Sequence, residues 1–227
     1  MSTRRAEAEL DRGTRARLLE AGCKVFADKG FRSATIAEIC ERAGANIAAV
    51  NYHFRDKETL YAEAWRLAFE RSTRVHPPSG GVPPDAPARE RLRGHVLSLI
   101  ERVFDPETAD FEIVHKELAN PTGLLAEVMR ECIEPMRRAL GEIVRDLLGE
   151  AATERDVELC RMSVMAQCMH VMIQERRRRS PDAGPGCEVP ALDSDPEEIA
   201  DHIVRFSLAG IREIRRRIES GVSDERD

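Results

Sequence analysis

The sequence predicts an all-α chain of about nine helices, a three-helix head on a longer helical body. Three observations lead there. Apolar residues recur at i, i+3, i+4 and i+7 in segment after segment. Aromatic residues make up 4% of the chain and Pro/Gly clusters are few, which disfavours an all-β architecture. Two short amphipathic segments meet at a glycine, Gly44, the layout of a helix-turn-helix.

The first helix spans residues 14–29, with Leu18, Gly22, Val25 and Phe26 as its inner stripe. Gly30 stands where a left-handed residue ends a helix. Thr35 caps a second helix whose Ile36, Ile39, Cys40 and Ala43 share one face, and Gly44 ends it. The third helix turns Ile47, Val50 and Phe54 inward. Asn46, Ala48, Ala49 and Tyr52 fall outward, with Asn51 half turned in. A fourth helix, residues 56–74, carries Leu60, Ala64, Leu67 and Ala68 along one side. Residues 76–87 (HPPSGGVPPDAP) can only be a loop.

A fifth helix covers residues 88–104, and Asp105-Pro106 opens a sixth that points Phe111, Val114, His115 and Leu118 one way until Pro121 stops it. The seventh, residues 122–148, holds Pro135 in its interior, which removes a backbone hydrogen bond and predicts a kink. Thr153 caps the eighth, which has two apolar stripes: Val157, Val164, Cys168 and Val171, and Met162, Met165, Met169 and Met172. Asp195-Pro196-Glu197-Glu198 opens the ninth as a capping box. Its stripes are Ile199, Ile203, Phe206, Ile214 and Ile218, and Val204, Leu208 and Ile211. Helices with two apolar faces need two partners. The second is most simply another copy of the chain, giving a homodimer through residues 153–178 and 195–219. Arg176–Arg179 reads as a solvated charge run at a helix end, followed by a loop to residue 194.

Net charge is −6, which at first argues against nucleic acid. Residues 1–55, however, hold ten Lys/Arg against seven Asp/Glu, while the remainder holds 25 against 34. A basic head on an acidic body confines affinity for phosphates to one end. The N-terminus has no apolar core of a secretory signal, and the longest charge-free stretch, residues 162–174, is too short to span a bilayer. A soluble, cytoplasmic protein is expected. Six cysteines show no CxxC pair and no metal-ligand spacing; five sit in helices as small hydrophobes, and Cys187 lies in a loop where a thiol could react. No cofactor or metal is expected. No HExxH, clustered carboxylate motif, Ser/His/Asp arrangement or phosphate loop points to an enzyme.

The head carries a pattern of Phe26, Gly30-Phe31, Thr35-Ile36, Ile39, Ala43-Gly44, Val50, Tyr52-His53-Phe54, Lys57 and Leu60. In these residues the chain resembles the TetR family of bacterial transcriptional regulators. Residues 51–54 (Asn-Tyr-His-Phe) and the segment 115–121 resemble its CecR-type branch. The resemblance implies a homodimer reading a palindrome in double-stranded DNA, with residues 1–55 as the DNA-binding domain. Residues 56–227 would be the ligand-binding and dimerisation domain, releasing DNA when a small-molecule inducer binds. It assigns Thr35, His53 and Lys57 to phosphates, and Asn46, Ala48, Ala49 and Tyr52 to bases or sugar-phosphate. Asn51 replaces a tyrosine common in the family and could bind adenine bidentately. Plain alternatives stand beside these roles: Tyr52 packing on the first helix, His53 capping the third, Lys57 as an ordinary exposed lysine.

The inducer is expected to be largely apolar, lined by Trp65, Phe69, Phe104, Phe111, His115, Met129, Met136, Met165, Met169 and His170. Methionines at helical spacing are also ordinary core. Ligand beside the kink at Pro135 would tilt the fourth helix and change the separation of the two third helices. The rival readings are an all-helical enzyme and a protein-interaction adaptor that kept the fold without regulated DNA binding.

Overall fold

The computed structural model describes residues 2–179 and 195–221, and every regular element among them is an α-helix. In chain order these are α1 (Ser2–Ser33), α2 (Ile36–Ala43), α3 (Ile47–Phe54), α4 (Lys57–Val75), α5 (Ala88–Phe104), α6 (Asp110–Ala119), α7 (Ala126–Leu148), α8 (Glu154–Arg179) and α9 (Pro196–Ser220). The all-α architecture follows the apolar periodicity. Cys187 and the loop expected before α9 lie outside the described residues. No described helix is long and apolar enough to cross a membrane.

Packing separates two compact units, Met1–Arg74 with Pro106–Ile133, and Val75–Asp105 with Glu134–Asp227. In the first, α1 packs against α2, α3 and α6. Phe26 meets Tyr61 edge-on at 4.8 Å between ring centroids, and Phe31 lies 5.1 Å from the same ring. The Tyr61 hydroxyl donates to Glu117 Oε2 at 3.1 Å. Burial, reinforced by the Glu117 charge, raises the Tyr61 pKa. Glu117 Oε1 also accepts from the backbone N–H groups of Thr122 (2.8 Å) and Gly123 (2.9 Å), closing the chain reversal after α6. Gly30 has φ 72° and ψ 175°, a region nearly exclusive to glycine, and a Cβ there would sit 3.3 Å from Lys116 Cβ. Gly30 is thus not the αL helix end expected of it, and its positive φ and missing side chain let α6 approach α1.

In the second unit α5, α8 and α9 pack together, with the second half of α7, around Leu92, Val96, Ile100, Leu140, Val144, Val164, Cys168 and Leu208. The 76–87 loop lies on α5 as a strap. Ser98 donates its hydroxyl to Pro77 O at 2.6 Å, and buried His95 donates to the Pro78 carbonyl. His76 lies 2.9 Å from an Asp105 oxygen and 3.7 Å from one of Glu101. The approach is close because Gly94 has no side chain: a Cβ there would collide with Ser79 O and lie 2.6 Å from Val82 Cγ2.

Further expectations change. Asp105 does not open the sixth helix, because it C-caps α5 through Glu101 O while its carboxylate is bound to His76. α6 therefore starts at Asp110, and it buries Asp110 and Ile113 where the sequence reading pointed Phe111, Val114, His115 and Leu118. Leu118 is exposed. α7 starts at Ala126 and not 122, since Thr122 and Gly123 are held by Glu117. The cap at Thr153 holds, while at the ninth helix Asp195 is an N-cap with Pro196 behind it, and the reciprocal Glu198 bond of a capping box is not seen among the described residues. Thr153 and Asp156 exchange hydrogen bonds (Thr153 N to Asp156 Oδ2 2.9 Å, Asp156 N to Thr153 Oγ1 3.2 Å), and Asp195 accepts from Glu197 N. Among the described cysteines, burial pushes the Cys23 thiol up to about 11 and Cys168 up to about 12, as core thiols require.

Two outcomes test the strap. Gly94→Ala should lower stability by about 1–3 kcal/mol through overpacking. Gly141→Ala, with nothing within 4 Å, should be neutral or stabilising in the same denaturant unfolding experiment. His95 has its pKa lowered by burial, so the unfolded chain binds its proton more readily. Stability should therefore fall as pH drops below the ordinary value of 6.5, and stay level above it. His95→Gln should lose that dependence in unfolding curves taken between about pH 7 and about pH 5.

Candidate nucleic-acid interface

The turn between α2 and α3 is built from three local signals. Thr35 Oγ1 accepts from Glu38 N at 3.2 Å and starts α2. Gly44, at φ 59° and ψ 43°, ends it with its N–H on Cys40 and Glu41 carbonyls. Asn46 Oδ1 then accepts from Ala49 N at 2.9 Å and starts α3. The pair is fastened to α1 by Arg17 Nε on Ala43 O at 3.1 Å and by the Lys29–Glu38 ion pair at 2.7 Å.

α3 buries Val50 and Phe54, and the Arg15 guanidinium lies 5.2 Å over the Phe54 ring. The helix ends in a tight corner that the sequence reading did not anticipate. Arg55 has φ 69° and ψ −50°, and Asp56 N–H reaches Phe54 O at 2.8 Å, a γ-turn of the rare positive-φ kind. Asp56 then caps α4 by accepting from Thr59 N at 2.8 Å, and hydrogen bonds from the Thr59 side chain and backbone lower its pKa. A non-glycine residue at positive φ carries no sequence signature, so this corner was not legible.

The outward face differs from the reading in two places. Ile47, placed inward by phase, is 55% exposed. It shares the angular sector of Phe54 but sits about 10 Å away along the axis at the first turn, beyond the side chains that cover Phe54. Asn51, read as half turned in, is exposed. Ala48 is exposed and Ala49 half-buried. Tyr52 is 75% exposed and touches the His53 ring edge-on at 5.0 Å, so it does not pack on α1. His53 is half-buried. Lys57, the first residue of α4, places Nζ 4.4 Å over the Phe31 ring, and partial burial lowers its pKa. Asn46 is exposed, with its oxygen committed to the cap and its amide N–H groups available.

Residues 18–64, which contain this whole unit of turn and helix, match the family of bacterial regulatory proteins called tetR. Residues 88–211, more than half of the chain, match the C-terminal domain of the HTH-type transcriptional dual regulator CecR. The chain belongs to the TetR family. It is a DNA-binding transcriptional regulator of that family, with the CecR-type body that the Asn-Tyr-His-Phe segment suggested. It is 26% identical over 156 residues to the HTH-type transcriptional regulator SrpR of Pseudomonas putida, covering 68% of each chain. It is 26% identical over 144 residues to CecR of Shigella flexneri, covering 58% of this chain and 63% of that one. In fold it resembles a TetR-like transcriptional regulator from Rhodococcus sp. RHA1, with a TM-score of 0.65 at 16% identity, covering 88% of this chain and 96% of that one.

The residues suggested for the ligand fall in both units of this TetR-family chain. Trp65, Phe69, Phe111, His115 and Met129 belong to the first, and Phe104, Met136, Met165, Met169 and His170 to the second. Trp65 and Phe69 are buried with their rings 5.2 Å apart, and Trp65 Nε1 is buried without a hydrogen-bond partner. Phe111, His115 and Met129 are half-buried. Phe104 and Met165 pack partly on the second core, Met136 and Met169 are half-buried, and His170 is exposed. His170 lines a groove of about 660 Å³ between α8 and α9 with Gln167, Val171, Ile199, His202 and Ile203. No group of three or more His, Cys, Asp or Glu among the described residues is arranged to hold a metal.

The caps and the exposed edge separate in a stability measurement. Asn46→Ala should lower the unfolding free energy by about 1 kcal/mol, and Asn46→Ser should restore most of it. Tyr52→Ala should stay within about 0.5 kcal/mol of the parent, because an exposed side chain carries little folding energy.

Proposed function

We propose that this TetR-family regulator is a repressor that binds a palindromic operator as a homodimer and leaves it when a small molecule occupies its body. The observation that carries the reading is the 75% exposed Tyr52 at the end of a short helix whose opposite side is locked into the core. Residues 1–55 act as the DNA-reading domain and residues 56–227 as the ligand-binding and dimerisation domain. In this reading Thr35, His53 and Lys57 meet phosphates, Ala48, Ala49 and Tyr52 enter the major groove, and Asn46 offers its amide N–H groups. Asn51, an exposed residue, binds adenine bidentately.

The homodimer forms through α8 and α9, where Leu159, Met162, Ile173 and Phe206 leave apolar surface exposed. The inducer is largely apolar, with one acceptor for the unpartnered Trp65 indole N–H. The coupling runs through α7, whose residues pass from one unit to the other between Ile133 and Glu134, beside Pro135. The inducer must favour the DNA-incompetent state by a few kcal/mol to shift the population. Binding and release, without chemical turnover, are the whole activity.

Selection from a random duplex library with the full-length chain tests the reading. A palindrome should be enriched, with log affinity falling against log salt at about 0.9 per neutralised phosphate. Tyr52→Ala should weaken binding to that palindrome by about tenfold or more at unchanged stability. A folded protein that enriches nothing would favour the adaptor or enzyme readings.

A further inference from the structure

We infer that Ile47 is a base-reading residue that selects the 5-methyl group of thymine in each half-site. The inference rests on the DNA-binding reading above and adds to it a specificity determinant. The starting point is the failure of helical phase at this position. An isoleucine in the buried sector of α3 is 55% exposed, while Val50 and Phe54 in the same sector are 1% exposed.

At 100° per residue, Ile47, Ala48, Asn51 and Tyr52 fall within an arc of about 140°. All four are exposed, so they form one contiguous face, with Ile47 and Asn51 one turn apart on one edge and Ala48 and Tyr52 on the other. The chemistry of that face is restricted. α3 (IAAVNYHF) contains no Lys, Arg, Asp or Glu, so it has neither the cationic fork that reads guanine nor the carboxylate that accepts from cytosine. Asn46 at the helix start has its oxygen engaged by Ala49 N, so the cap fixes its amide and it is not free to turn for a bidentate contact with adenine. What remains at the leading end is a branched aliphatic side chain. In the major groove thymine alone presents an apolar group, its methyl. Against any other base Ile47 would strip water from a donor or acceptor and offer nothing in return. Exposed isoleucines scattered singly on a surface need no explanation. This one stands at the leading turn, on one edge of a contiguous face whose other members are small or polar.

The test uses the palindrome enriched by the wild-type chain, synthesised with deoxyuridine replacing thymidine at one symmetric pair of positions at a time. Uracil keeps every hydrogen-bonding group and loses the methyl. Wild-type protein should lose about three- to fivefold in affinity per methyl at one position pair, the value of burying one carbon group. Ile47→Ala should bind the thymine duplex more weakly by a similar factor and show no further loss with uracil at that pair, while keeping its uracil response elsewhere. Ile47→Val, which retains the branched face, should keep part of the discrimination, and unfolding curves should match the parent because the residue is exposed. Equal uracil penalties for wild type and Ile47→Ala at every position would overturn the assignment. So would an Ile47→Ala affinity equal to wild type. If a folded wild-type chain enriches no duplex at all, the DNA-binding reading fails first and Ile47 with it.

Discussion

Two buried side chains hold the reading face. α3 is eight residues long, too short to be stable as an isolated helix, and it contributes just Val50 and Phe54 to the core. Everything it presents outward depends on those anchors and on the constraints at its ends. Asn46 satisfies the first turn, Arg55 N–H satisfies Asn51 O at the last, and the positive-φ corner at Arg55 fixes the exit into α4. Strain of about 1–3 kcal/mol at such a residue persists where the surrounding structure determines it. Here the determinants are the buried Phe54 on one side and the Asp56 cap on the other. The angle between α3 and α4 is therefore set by the backbone geometry of the corner, while the packing of α3 is against α1 and α2.

That matters because α4 does not stand alone. Its Tyr61 closes the aromatic cluster of Phe26 and Phe31 and also reaches Glu117 on α6. Glu117 in turn holds the start of the segment leading to α7. Arg66 on α4 adds an ion pair to Glu131 on α7 at 2.7 Å, and Arg71 one to Glu20 on α1 at 2.6 Å. Exposed pairs like these contribute little individually. The buried ring cluster and the multiply bonded Glu117 contribute more, because losing one partner leaves a polar group unsatisfied. A change in α6 or in the first turns of α7 therefore acts on the same compact unit that contains α3.

How far the sequence carries depends on the range of each signal. Thr35, Gly44, Thr153 and Asp195 were legible, since a cap is decided within a few residues of itself. The inner stripes of α1, α8 and α9 were legible because many repeats average out single exceptions. The start of α6 was not, because Asp105 is recruited by His76, a residue 29 positions away that no local pattern reports. The strap on α5 was read as a loop, but its docking required knowing that Gly94 and Ser79 meet. Ile47 misled for a third reason. Phase gives direction around a helix and says nothing about position along it, and one turn suffices to leave a residue outside the core. On the site, Tyr52 and Ala48 stood out by phase, whereas the exposure of Asn51 and Ile47 needed coordinates.

The proposed pairing of two chains follows from the size of the face itself. One α3 offers four exposed side chains, and a well-placed contact to a base discriminates by about 1–3 kcal/mol. In the proposed reading two of those four, Ala48 and Ile47, would supply methyl contacts at the low end of that range. At those values a single copy would reach about 4–8 kcal/mol, the lower part of the roughly 4–10 kcal/mol that separates specific from non-specific binding in regulators. Doubling the face over a two-fold axis covers the top of that range without adding a charge to α3. The exposed Leu159, Met162 and Ile173 on α8 and Phe206 on α9 supply apolar area for the axis, well separated in sequence from α3. In the proposed reading a neutral reading helix therefore gains its upper range of specificity from pairing. That ties the chemistry of residues 47–52 to the apolar surface of the last two helices.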